Sequence, residues 1–96
     1  NSNHAKYYLG FCYLYGVGTM VNHSLALRYL TEYTNEYKDG DAYRCMGEIY
    51  DRGMGVPEDI EKAVSWYQKA SEAGCAGAKE ALGHFKKTIF GKWKRK

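Results

Sequence analysis

The 96-residue chain contains no run of about 18 apolar residues, so no segment of it reads as a membrane-spanning helix. Cysteine is sparse: Cys12, Cys45 and Cys75 form neither an even disulfide set nor a CxxC pair, which favours a reducing, cytoplasmic setting. His4, His23 and His84 lie in separate segments, so no spacing argues for a metal or a Cys/His nucleophile, and a Cys/His hydrolase is the remotest reading. The glycine pairs "GVG" and "GMG" lack the Lys-Ser/Thr ending of a phosphate loop, and no strand precedes them. No catalytic, cofactor or metal site is therefore expected. Acid is missing from residues 86–96, which hold six cations and leave the remainder of a +3 chain at −3. The chain opens at Asn1 without Met, which fits a processed or excised piece of something longer.

What the sequence does have is a copy of itself. Shifting it by 37 residues lays Ala5 on Ala42, Gly10 on Gly47 and Tyr13 on Tyr50. The same shift lays Gly16 on Gly53, Gly18 on Gly55 and Ala26 on Ala63. A further shift of 36 brings Ala78, Leu82 and Gly83 onto Ala42, Met46 and Gly47. Repeats of this length mark units that cannot bury their apolar faces alone and so must stack.

Each unit reads as helix, turn, helix. Ala5, Leu9, Cys12 and Tyr13 make an apolar stripe at helical spacing, repeated by Ala42, Met46, Ile49 and Tyr50. Gly10 and Gly47 are unfavourable inside a helix by roughly 1 kcal/mol against Ala, a cost that close approach of a second helix explains. Gly16 and Gly53 suit the left-handed end of the first helix, and Asn22 and Asp59 suit the cap of the second. In that second helix Ala63, Trp66, Tyr67 and Ala70 are expected to face inward, with Ala26, Tyr29, Leu30 and Tyr33 as their counterparts. Trp66 is expected to be largely buried, its truncation to Ala costing about 3–5 kcal/mol. Cys12 and Cys45 fall in apolar columns, and Cys75 in the turn between units.

Residues Ala42, Met46-Gly47, Tyr50, Gly53, Gly55-Val56, Asp59, Lys62-Ala63, Trp66-Tyr67, Lys69-Ala70, Glu72 and Gly74 together resemble the Sel-1-like repeat, a relative of the tetratricopeptide repeat. The first unit departs at Leu25, Asn22 and the "TEYTNEYKDG" ending, and the third keeps only Ala78, Leu82 and Gly83. The resemblance implies an all-α solenoid of two stacked hairpins and a C-terminal capping helix, about five helices in all. It also implies an adaptor or scaffold without catalysis or cofactor, whose first helices line a concave face that holds another protein or peptide. The expected divisions are repeat one at 5–40, repeat two at 41–74, a partial third repeat or cap at 75–90 and a basic tail at 91–96, with further repeats of the same chain as possible neighbours.

Where core columns stay alike between units, others change character, and these are the expected contact positions. They are Tyr7, Phe11, Leu14 and Tyr15 at an aromatic end, Arg44, Glu48, Asp51 and Arg52 at a charged end, and His84 in the third unit. The tail "HFKKTIFGKWKRK" supports a second reading, in which Lys86, Lys87, Lys92, Trp93, Lys94, Arg95 and Lys96 meet nucleic acid or an anionic membrane. Against it stands a cap, in which Phe85, Ile89, Phe90 and Trp93 close the last unit and the lysines form its polar outer face.

Overall fold

The computed structural model describes residues 2–96, with side chains from His4 onward. Five helices follow in order: α1 (Ser2–Tyr15), α2 (His23–Glu36), α3 (Gly40–Arg52), α4 (Ile60–Glu72) and α5 (Ala76–Leu82). A short ribbon, β1 (Phe85–Lys87) and β2 (Trp93–Arg95), ends the chain. Helices α1 and α2 form one hairpin and α3 and α4 the next, with α2 against α3 and α4 against α5 and β2. Stacking in a row makes the molecule elongated, 44 × 25 × 19 Å.

The turns obey their residues. Asn22 Oδ1 accepts from the Leu25 amide and Asp59 Oδ1 from the Lys62 amide, both at 3.1 Å, each satisfying a donor that the helix start leaves free. Gly16 and Gly53 take left-handed φ values of 70° and 65° as α1 and α3 end. Gly10 and Gly47 are where the paired helices touch. A Cβ on Gly10 would lie 2.7 Å from Leu30 Cγ, and one on Gly47 2.6 Å from the Tyr67 ring. The helix-propensity cost of each glycine is thus offset by close packing against a large side chain one helix away.

Two clusters make the core. Leu14, Ala26, Leu30, Cys45, Met46 and Ile49 join α1 and α2 to α3. Ala63, Val64, Tyr67, Ala70, Cys75, Ala78 and Phe85 join α4 to α5 and the ribbon. Tyr50 packs on both, linking the layers.

Three expectations are corrected. Ala5 and Leu9 are exposed, whereas Ala42 and Met46 in the same columns are buried; α3 has α2 lying on that face, and α1 shows no neighbour there among the described residues. Trp66 is only half-buried, because adjacent helical residues point about 100° apart and Tyr67 takes the inward position at 1% exposure. The Trp66 ring instead lies against Tyr43, with the Lys69 ammonium 4.7 Å from its centroid. Tyr29 shows the same offset, half-buried and stacked on Tyr13 while Leu30 fills the seam. Finally, Phe85 to Arg95 is a hairpin instead of helix and separate tail: Phe85 pairs with Arg95, Lys86 with Lys94 and Lys87 with Trp93. Its turn closes through the Gly91 amide on the Thr88 carbonyl, with Gly91 at φ 81°, the left-handed residue that three-residue hairpin loops require.

Candidate protein-docking face

Aromatic side chains spaced four apart along α1 form a continuous row. Tyr7 and Phe11 rings are 6.3 Å apart and Phe11 and Tyr15 rings 4.9 Å apart, all three half-buried, with Tyr7 also 5.5 Å from Tyr33. Their inner edges rest on the α1–α2–α3 core and their outer edges face solvent.

The row runs into charge at Tyr15, whose hydroxyl donates to Glu48 Oε1 at 2.5 Å and so ties α1 to α3. Glu48 also receives Arg44 at 3.0 Å and lies 3.7 Å from Arg52, each one helical turn away. Burial, then the Glu48 hydrogen bond, raise the Tyr15 pKa, so the phenol stays a donor at neutral pH. Burial likewise pushes the Tyr7 phenol up to about 12. Burial is the largest single influence on Arg44 and works against its charge, but Glu48 together with the smaller contributions of Cys45, Tyr15 and Cys75 outweighs it, and the pKa is raised. Arg52 is largely exposed. Beside this network lies a recess of about 250 Å³, lined by Arg44, Glu48, Arg52, Tyr67, Glu80 and His84 among others.

The expected contact residues therefore separate into three groups. Tyr7, Phe11, Tyr15, Arg44, Glu48 and Arg52 share one face of the first helices, and His84 joins them across the recess although it lies beyond the end of α5. Leu14 does not belong: four residues after Gly10, it faces α2 and is 1% exposed in the core. Asp51 lines the recess but is already engaged, accepting from the Tyr67 hydroxyl at 3.0 Å and from Arg95 at 2.5 Å. Arg95 also meets Glu58 at 3.1 Å, which straps the ribbon to the second hairpin. Sequence reasoning missed this strap because its members are 44 and 37 residues apart and no local pattern links them.

A second recess of about 480 Å³ was also missed. It opens at the other end of the helix pairs, between the turn at Tyr37–Asp41 and the Ala73–Cys75 turn. His4 stacks on Tyr37 at 4.8 Å, and Asp39 accepts from the Tyr33 hydroxyl and from the Asp41 and Ala42 amides. The recess is built from helix caps, a structural use of those side chains.

All three cysteines are free and buried. Burial pushes the Cys45 thiol up to about 12, leaving no thiolate at neutral pH to act as a nucleophile. No group of three or more metal-ligating side chains converges among the described residues.

The Sel1 repeat family model matches residues 3–32 and 40–75, the two helical hairpins. An uncharacterized protein of Neisseria meningitidis serogroup B is 36% identical over 70 residues, which is 73% of this chain and 15% of the relative. Two solved structures superpose over 84% of the chain. The Sel1 repeat protein from Oxalobacter formigenes does so with a TM-score of 0.75 and 27% identity. The protective antigen c5321 of uropathogenic Escherichia coli, described as displaying an SLR fold, does so with a TM-score of 0.76 and 26% identity. The chain spans 33% and 17% of those two proteins, so it resembles a slice of longer arrays. Sel1 repeats generally serve protein–protein interaction. With its two matched hairpins and the all-α stack they build, this chain belongs to the Sel1 repeat family.

Proposed function

We propose that this chain is a non-catalytic adaptor that docks a peptide or protein surface on the face formed by α1, α3 and the end of α5. Tyr7, Phe11 and Tyr15 supply rigid apolar area at little rotamer cost, and Arg44, Arg52 and His84 supply directed donors around the recess. Glu48 orients Arg44 and Tyr15 and holds the two halves of the face in register. The observation that carries the reading is the unbroken passage from half-buried rings to a bridged charge cluster, across two repeats, on one side of the molecule. An aromatic anchor beside a cation best suits a segment that carries both an apolar side chain and a carboxylate.

Site-specific photo-crosslinking tests it. A crosslinker placed at Phe11 or at Arg52 is expected to yield the same partner adduct, whereas one at Ser65, exposed on α4, yields none. Adducts confined to Ser65 would contradict the assignment of the face.

A further inference from the structure

The ribbon that ends the chain sorts its side chains sharply. Phe85 and Trp93 pack toward the helices, Phe85 at 5% exposure and Trp93 half-buried on the same cluster. On their side Arg95 is exposed but held by Asp51 and Glu58, and Lys87 is exposed with its ammonium over the Trp93 ring. Strand alternation sends the intervening residues the other way. Lys86 and Lys94 are directly paired across the strands, and both are exposed. Lys92 and Lys96 flank β2, exposed and at the same parity as Lys94, with the Thr88 amide donating to the Lys92 carbonyl and the Lys96 amide to the His84 carbonyl. Like charges facing each other across an antiparallel pair are destabilising. Among the described residues no carboxylate forms an ion pair with Lys86, Lys87, Lys92, Lys94 or Lys96. The fold thus keeps an unrelieved lysine face.

The tip of the ribbon adds a second, independent feature. Ile89 and Phe90 occupy the turn at 95% and 85% exposure. Neither contributes to either core cluster, so folding gives no reason for two large apolar side chains there. The cap reading accounts for Phe85 and Trp93 and leaves this pair unexplained.

We propose that the β1–β2 hairpin is a docking finger for an anionic lipid bilayer, with Ile89 and Phe90 entering the interface and the lysine face lying on acidic headgroups. Each Lys near such a surface contributes to binding, and two apolar side chains supply the shallow insertion that charge alone lacks. Two side chains at a turn reach only the interface, so the attachment such a finger supplies is peripheral. Nucleic acid fits the same cations less well. Base stacking needs free rings, and here Phe90 is the sole exposed ring of the ribbon, while Trp93 is packed beneath Lys87 and Ile89 stacks on nothing.

The test is sedimentation with phosphatidylcholine vesicles, with and without phosphatidylserine, alongside an electrophoretic shift with single-stranded RNA. The 96-residue chain is expected to sediment with the phosphatidylserine vesicles alone. Ile89→Ser/Phe90→Ser should weaken that binding about tenfold. Lys86→Gln/Lys94→Gln should weaken it about thirty-fold. Lys38→Gln, which removes an exposed cation outside the ribbon, should leave it unchanged, and all variants should keep wild-type helical circular dichroism. Failure of the wild-type chain to sediment, or equal sedimentation with both vesicle types, would overturn the proposal. So would an unaltered affinity of the tip variant, or a lysine-dependent RNA shift without vesicle binding, which would assign the ribbon to nucleic acid.

Discussion

The two hairpins carry the same columns and use them differently. In the second, Ala42, Cys45, Met46 and Ile49 are 0–3% exposed because α2 lies across them. In the first, the equivalent Tyr8 and Leu9 are 65% and 38% exposed and Ala5 is exposed as well, and only Cys12 is covered. The turns repeat the contrast. A Cβ on Gly55 would meet His23 Cβ at 2.6 Å, whereas one on Gly18 would meet nothing within 4 Å. A stacked repeat therefore has two kinds of core position: those facing its own partner helix, filled in both hairpins, and those facing the preceding hairpin, filled in the second.

The comparison breaks most readily at the partner-helix seam. Tyr67→Ala is expected to cost about 3–5 kcal/mol in chemical denaturation, since it opens a cavity against Gly47 and leaves Asp51 without its hydroxyl donor. Trp66→Ala should cost about 1–2 kcal/mol, because only part of its surface is removed from water. Equal losses would mean that the two rings share the seam.

The inter-hairpin face gives a smaller contrast. Met46→Ala should cost about 2–4 kcal/mol, and Leu9→Ala, in the same column, no more than about 1 kcal/mol. Urea midpoints of the two variants check this, and a Leu9 loss matching that of Met46 would show the first face to be filled.

A third contrast is electrostatic. Burial holds the Cys45 proton up to about pH 12 in the folded chain, while the unfolded chain releases it near pH 8.5. A pKa raised by folding contributes stability that is complete below the unfolded value and lost as pH rises toward the folded one. Stability should accordingly fall between about pH 8.5 and pH 12, and Cys45→Ala should flatten the first part of that fall. An unchanged alkaline slope in Cys45→Ala would place the loss elsewhere.

Much of this architecture was legible in the sequence, for local reasons. The caps at Asn22 and Asp59, the left-handed turns at Gly16 and Gly53 and the small contacts at Gly10 and Gly47 are set by backbone chemistry within each hairpin. The exposure of Leu9 and Ala5 was not legible, because burial there depends on a neighbour, and the repeat pattern specifies the column without specifying its occupant. The choice between Trp66 and Tyr67 turned on one residue of helical rotation between two aromatic neighbours. The hairpin carried a signal that the repeat alignment masked: Gly91 after "TIF", flanked by Phe85 and Trp93 among cations. Of the proposed docking face, the aromatic row was visible from spacing, but the capture of Asp51 by Arg95 and the withdrawal of Leu14 into the core required the fold.

Native-state hydrogen exchange tests the central claim most directly, because it reads each helix separately. With α3 covered on both sides and α1 on one, the amides of α3 and α4 should exchange only through global opening, and those of α1 through a local opening of lower free energy. Protection in α1 equal to that in α3 would contradict the account.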